Sequence, residues 1–342
     1  MYRIQQSQLP LLYAEIARNQ DLFLPVKSAG KTNFAFWNED AAVDLQTLKT
    51  VKSPKDAFFP QSENLYTCEK VAGRTTINAQ PHCDRPFVVF GIKACDVRGI
   101  AVLDKVFLSE PVDSYYAARR ANGTVVSLAC HRPATSCFCG AFGIDCAAPE
   151  GDVATWLTAE YLYWQPQTEK GEQLTSQLAA LLESCDEAAV ETEKSAIRDI
   201  CNRLPLKDLD LSGWGAEAAE TRFDSPLWEK LYQPCLACGT CTFVCPTCQC
   251  YDIKDFNTGH GIKRFRCWDS CMYSEFTRMA HGNNRLSQVE RFRQRFMHKL
   301  VYYPTNNDGL FSCVGCGRCL AKCPISMNIV KVMKKIGGNR SE

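Results

Sequence analysis

Cys235-Leu-Ala-Cys238-Gly-Thr-Cys241-Thr-Phe-Val-Cys245-Pro246 recurs downstream as Cys313-Val-Gly-Cys316-Gly-Arg-Cys319-Leu-Ala-Lys-Cys323-Pro324. Both stretches spell C-x-x-C-x-x-C-x-x-x-C-P, the run that holds [4Fe–4S] clusters in two-cluster ferredoxins. Three thiolates on one tight loop can each reach a different iron of a cube, and small residues between them let the backbone wrap closely. The fourth Cys lies too far along the chain for the same cube, and the Pro turns it away. Cys323 is therefore expected to complete the set Cys235, Cys238 and Cys241, and Cys245 the set Cys313, Cys316 and Cys319. Structural zinc sites prefer two C-x-x-C pairs to a triplet followed by C-P.

The 342-residue chain is long enough for a second domain with its own core. Its 39 basic and 38 acidic side chains leave a net charge of +1, without the clearly basic face that nucleic acid requires. Twenty-one cysteines would mean disulfides in a small secreted chain, but many of these sit at metal-ligand spacings. The opening MYRIQQSQLPLLYAEIARNQ reads as an amphipathic helix rather than a signal peptide. No apolar run reaches membrane-spanning length, so a cytoplasmic, reducing and anaerobic setting is expected.

Nearly seventy residues separate the two motifs, far more than in a compact bacterial ferredoxin. Helical spacing over 270–279 and 286–301 predicts an α-helical, ferredoxin-like domain with two [4Fe–4S] clusters over 226–342. The basic runs 285–299 and 331–335 read as solvated or partner-facing helix surfaces. Cys248, Cys250, Cys267 and Cys271 are candidates for an extra metal site; otherwise they are small buried residues beside the clusters. Cys68, Cys83, Cys185 and Cys201 read as ordinary.

Residues 1–203 predict an α/β domain, with 204–225 as linker. A helix over 7–19 precedes strands at 22–26 and 33–37. Ser28-Ala-Gly30-Lys31-Thr32 looks like the tail of a phosphate loop, but the required first Gly is Pro25. The Pro-bracketed aromatic segment 53–61 reads as a core-covering loop or a lid. Phe87-Val-Val-Phe90 and 124–128 are strands of the buried, parallel type, joined by helices over 97–108 and 113–120 with Asp96 as N-cap. Residues 154–166 read as a further strand, followed by helices near 169–186 and 187–203. Ligands in such Rossmann-like sheets bind beyond the carboxyl ends of the strands. Cys95 and Cys130 stand there, and Cys137-Phe-Cys139 follows on the next loop. These four thiols make a third [4Fe–4S] site, with Cys146 as the rival fourth ligand. Arg98, Arg132 and the adjoining helix N-terminus would offset its negative charge, and His131 would stand beside it.

No G-x-G-x-x-G follows a strand, so neither a nicotinamide nor a flavin site is expected, and no paired-carboxylate or Ser–His–Asp pattern stands out. Several clusters without a substrate motif describe an electron carrier. The competing readings are a reductase acting on a small substrate at an open cluster and a non-catalytic iron–sulfur sensor or scaffold.

The combination Pro54-Lys-Asp…Phe59-Pro-Gln, Gly91-Ile-Lys-Ala-Cys95-Asp96, Cys137-Phe-Cys139, Cys245-Pro-Thr-Cys248-Gln-Cys250 and Trp268-Asp-Ser-Cys271-Met resembles the iron–sulfur electron-transfer subunit of anaerobic sulfite reductases and the related β subunit of sulfhydrogenases. The resemblance covers nearly the whole chain. It implies an electron carrier between a flavin- and NAD(P)H-binding oxidoreductase partner and a catalytic one, a sulfite reductase, [NiFe] hydrogenase or heterodisulfide-reductase-type enzyme. It also favours Cys139 over Cys146, because C-F-C recurs in that family. Ala280-His281-Gly282-Asn283-Asn284 departs from the family's usual Gly-Gly-His-Asn.

Overall fold

Phe87–Ile92 is buried at every position and forms the middle of the main sheet in the computed structural model, which describes residues 1–71, 73–79 and 85–338. The strands of the first half are β1 (Tyr2–Gln5), β2 (Asp21–Ser28), β3 (Lys31–Phe36), β4 (Ser62–Val71), β5 (Arg74–Ala79), β6 (Phe87–Ile92), β7 (Gly123–Leu128), β8 (Val153–Leu157), β9 (Tyr161–Pro166) and β10 (Glu183–Ser184). Its helices are α1 (Leu9–Asn19), α2 (Ala94–Phe107), α3 (Ser114–Asn122), α4 (Glu169–Gln177) and α5 (Ala188–Cys201). The main sheet runs β10-β1-β9-β8-β7-β6-β2-β3. Four consecutive strands, β8, β7, β6 and β2, are mutually parallel. That arrangement requires cover on both faces. Helices α1 and α4 pack Leu12, Ile16 and Leu174 against Val88, Phe90 and Val126. Helices α2 and α3 pack Ile100, Leu103 and Tyr116 against Phe87, Val89 and Val125. The α/β reading of this half therefore holds, as a mixed sheet.

Several local expectations hold and others change; the helix expected near 169–186 ends at Gln177, and β10 lies in its second half. Phe58 and Phe59 are fully buried, so the Pro-bracketed segment covers the core rather than closing over a ligand. Ala29 and Gly30, both at positive φ, make the tight turn between β2 and β3, in place of any phosphate loop. Residues 154–166 are a hairpin and not one strand: β8 and β9 pair antiparallel, with Thr158 Oγ1 accepting from the Tyr161 amide at 3.2 Å. Helix α2 begins at Ala94 with Lys93 as N-cap, which places Cys95 and Asp96 in its first turn.

The second half contains α6 (Ala219–Phe223), α7 (Leu227–Leu231), α8 (Thr240–Phe243), α9 (Gln288–Met297), α10 (Tyr303–Asn306), α11 (Arg318–Lys322) and α12 (Ile329–Ile336). Its core joins Trp228, Phe292, Phe296, Leu300, Val332 and Met333. The stretch 204–225 packs Leu209, Trp214 and Ala218 into that core. The gap between the motifs is not all helical. It carries strands β11 (Tyr251–Asn257) and β12 (Gly261–Trp268), which extend β4 and β5 into a four-stranded sheet, β11-β12-β4-β5. Buried Arg266 anchors this sheet through Glu63 (2.6 Å) and Asp113. The expected helix over 270–279 gives way to turns and a short strand at Arg278–Met279. Local polar bonds displace the helix: the Met272 amide donates to Ser270 Oγ, and Thr277 Oγ1 to Asn283 Oδ1. A helix does follow, α9, started by the capping box of Ser287 and Glu290.

Candidate iron–sulfur sites

The two motif loops share one backbone form. Ala237 and Gly239 in the first have positive φ, as do Gly315 and Gly317 at the equivalent positions of the second. These left-handed residues curl each loop, and α8 and α11 begin directly after them with Cys241 and Cys319 in their first turns. A Cβ on Gly315 would fall on the Phe138 carbonyl, and the Phe138 amide donates to Gly315 O at 2.9 Å. The second motif is thereby pressed onto the Cys137-Phe-Cys139 loop. Gly99 on α2 likewise leaves room for Pro246, which a Cβ would meet at 2.7 Å.

Cys235, Cys238, Cys241 and Cys323 line one pocket with Met272, Phe292 and Arg295. Cys245 acts electrostatically on Cys313, Cys316 and Cys319. Cys323 thus shares the pocket of the first motif's thiols, and Cys245 lies within electrostatic reach of the second motif's three as well as of Cys241 in its own. Burial raises the Cys313 and Cys319 thiols above their usual value and pushes Cys316 up to about 12. No three His, Cys, Asp or Glu among the described residues gather tightly enough for a single metal ion.

The third set also assembles. Cys95, Cys130, Cys137, Cys139 and Cys146 line one pocket together with Cys316 of the second motif. Cys95 follows β6 and Cys130 follows β7, the parallel neighbours that the sequence pairs. Cys201, read as ordinary, belongs to this neighbourhood: its Sγ stands 2.7 Å from that of Cys146. Its position at the end of α5, remote in sequence, carried no spacing signal.

Buried cations surround these thiols. Arg295 and Lys299 are each 4% exposed, so this part of the basic run is buried and not solvated. Burial opposes the charge on Lys299, but Cys245, Cys248 and Cys313 more than offset it and raise its pKa. Cys241 and Cys319 do the same for Arg295. Lys299 Nζ donates to Thr247 Oγ1 (2.8 Å) and Ser312 O (3.1 Å). Arg318, within the second motif, is buried in an ion pair with Asp96. At the third set the cation is Lys93, whose pKa is lowered by burial against the pull of Cys130 and Cys95. Its Nζ has no hydrogen-bond partner among the described residues, and neither has Arg295 Nε. A buried, unpaired ammonium is costly unless an anion faces it. An iron–sulfur cube held by four thiolates is such an anion, so the donor set and the orphaned amine both fit the cluster. Arg98 instead reaches Glu150 at 3.4 Å, and Arg132 is exposed. His131 bonds Gln46 at 3.0 Å.

Of the candidates for an extra site, Cys248 and Cys250 lie near Lys55 and Lys299, and Cys271 lies near Lys299. Hydrogen bonding from Cys271 holds Cys250 at about 7. Cys267 is elsewhere, on β12 with Lys254, Asp252 and Asp269 as its charged neighbours, so the set of four does not converge. Cys83 lies outside the described residues.

Paired cysteine motifs of this spacing define the class of two-cluster iron–sulfur proteins, and residues 234–327 match the family described as a 4Fe-4S dicluster domain. Over 336 residues the chain is 29% identical to the sulfhydrogenase 2 subunit beta of Pyrococcus furiosus, covering 98% of this chain and 97% of that protein. That similarity accords with the resemblance carried by the motifs. No solved structure matches it. No helix among the described residues is long and apolar enough to cross a membrane.

Proposed function

We propose that the chain is an electron-transfer subunit carrying three [4Fe–4S] clusters. It would relay electrons between a flavin- and NAD(P)H-binding oxidoreductase partner and a catalytic subunit of hydrogenase, sulfite reductase or heterodisulfide reductase type. The carrying observation is the continuity of the thiol sets. Cys241 of the first set acts on Cys319 of the second, and Cys316 of the second lines the pocket of the third. Each cluster, when bound, passes one electron at a time. The protein's own contribution is a fixed row of ligands with Arg295, Lys299, Arg318 and Lys93 buried along it. Those cations favour the reduced, more negative state of each site. Exposed Cys238 and Leu236 mark one end of the row, and the open pocket at Cys137 and Cys139 marks the other. Cys95, Cys130, Cys137 and Cys139 are the proposed ligands of the third cluster.

Anaerobic iron and sulfide analysis of the whole chain tests this reading. About 12 iron atoms, with three reducible signals in an electron paramagnetic resonance titration, is the expected result. About 8 would remove the third cluster.

A further inference from the structure

The third site has more thiols than a cube needs. Cys95, Cys130, Cys137, Cys139 and Cys146 line its inner pocket, and Cys137, Cys139, Cys146 and Cys201 face an adjoining cavity of about 260 Å³. With Cys95, Cys130, Cys137 and Cys139 as the proposed ligands, Cys146 and Cys201 remain; Cys146 bonds Cys139, and its Sγ stands 2.7 Å from that of Cys201. A shift of well under an ångström would bring them to the bonding distance of about 2.05 Å. Their supports are tied together: Cys146 follows the turn at Cys139–Phe142, and Cys201 closes α5, which Arg198 anchors to the same loop through Asp145 at 2.8 Å. Asp145, Arg198 and Lys207 also line the cavity, which has room for a small molecule but not for a folded partner.

We propose that Cys146 and Cys201 form a dithiol–disulfide couple that exchanges with a low-molecular-weight disulfide in this cavity and is re-reduced through the third cluster. The inference rests on the three-cluster reading. Cys201 is the more exposed of the two and attacks as thiolate. A mixed disulfide forms at Cys201 as the first substrate thiolate leaves. Cys146 then attacks the Cys201 sulfur, expelling the second thiolate and closing the protein disulfide. Two electrons thus pass to the substrate, whose two thiolates take up two protons. Two successive one-electron transfers from the reduced cluster, with two protons, reopen the pair. The couple would convert single-electron flow into a two-electron step.

The test uses the full chain with its clusters assembled anaerobically, reduced and desalted, and oxidised glutathione as probe. Thiols are then blocked and peptides mapped by mass spectrometry. The expected products are a peptide pair joined through Cys146 and Cys201 in the native protein, and glutathione retained on Cys201 in Cys146→Ser. Cys201→Ser should give neither product while keeping its full iron content. Loss of about four iron atoms in Cys201→Ser would make that residue a ligand and overturn the proposal. Both thiols remaining free in the native protein would overturn it equally. With dithionite, the disulfide should reopen at least about tenfold faster in the native protein than in Cys95→Ser or Cys137→Ser. Equal rates would overturn the coupling. About 8 iron atoms in the native protein would overturn the three-cluster reading and the coupling with it, while the peptide map would still report whether the pair closes.

Discussion

Arg318 and Asp96 meet in a two-pronged ion pair, Nη1 to Oδ1 at 2.6 Å and Nη2 to Oδ2 at 2.7 Å. Their side chains are only 3% and 1% exposed. The pair joins the second cysteine motif to the first turn of α2, and so ties the two thiol sets on either side of it. Breaking it on one side leaves a buried charge alone. Arg318→Ala or Asp96→Ala should each lower unfolding stability by about 3–5 kcal/mol in denaturant titrations. The double change to apolar residues of similar volume should recover most of that loss. Additive losses would show that the pair is not the contact that matters.

Exchanged ligation predicts a crossed pattern of damage. Cys323→Ala should remove the cluster of Cys235, Cys238 and Cys241, and Cys245→Ala that of Cys313, Cys316 and Cys319. Mössbauer or paramagnetic resonance spectra of the two variants decide this. Loss of the neighbouring cluster in sequence would mean self-contained motifs.

Lys93 supplies the unpaired positive charge at the third set. Lys93→Met should leave iron content unchanged but shift that cluster's midpoint potential downward. One unit charge about 6 Å away in a medium of effective dielectric about 20 is worth about 3 kcal/mol, a shift on the order of 100 mV. A redox titration showing no shift would place the amine away from the cluster.

His298 gives a pH dependence. Burial, aided by Lys299 and Arg285, pushes its pKa down to about 4. The unfolded chain binds a proton near the ordinary histidine value of about 6.5. Between those values the unfolded state holds more protons, so stability falls as pH drops from about 6.5 to 4, by up to about 3 kcal/mol. His298→Gln should flatten this limb of the stability curve relative to the native protein. Parallel curves for the two proteins would refute it.

Much of the site was legible because its signals are short. Cys235 to Cys245 and Cys313 to Cys323 declare themselves by spacing, which reflects the reach of one loop around a cube. The ends of β6 and β7 could be read because parallel strands buried on both faces are apolar throughout, and Cys95 and Cys130 follow them directly. The hairpin of β11 and β12 was missed because its partner strands, β4 and β5, lie in the first half of the chain. A charged segment such as Arg264 to Arg266 reveals no strand until Glu63 and Asp113 are beside it. The burial of Arg295 and Lys299, in a run that reads as solvated or partner-facing, is hidden for the same reason: helical periodicity shows which residues share a face, not that thiols will face them.

The sequence by itself determined which thiols act together within a loop, because backbone reach over a few residues is set by covalent geometry. It also determined the alternating strands and helices of the first half, through the apolar pattern. Only the tertiary structure decided what stands next to what across long separations. It put Cys201 against Cys146, Lys93 unpaired at the third pocket, Arg318 on Asp96, and the second motif against the Phe138 loop. Such contacts depend on packing between elements that share no local period, so no window of the chain contains them.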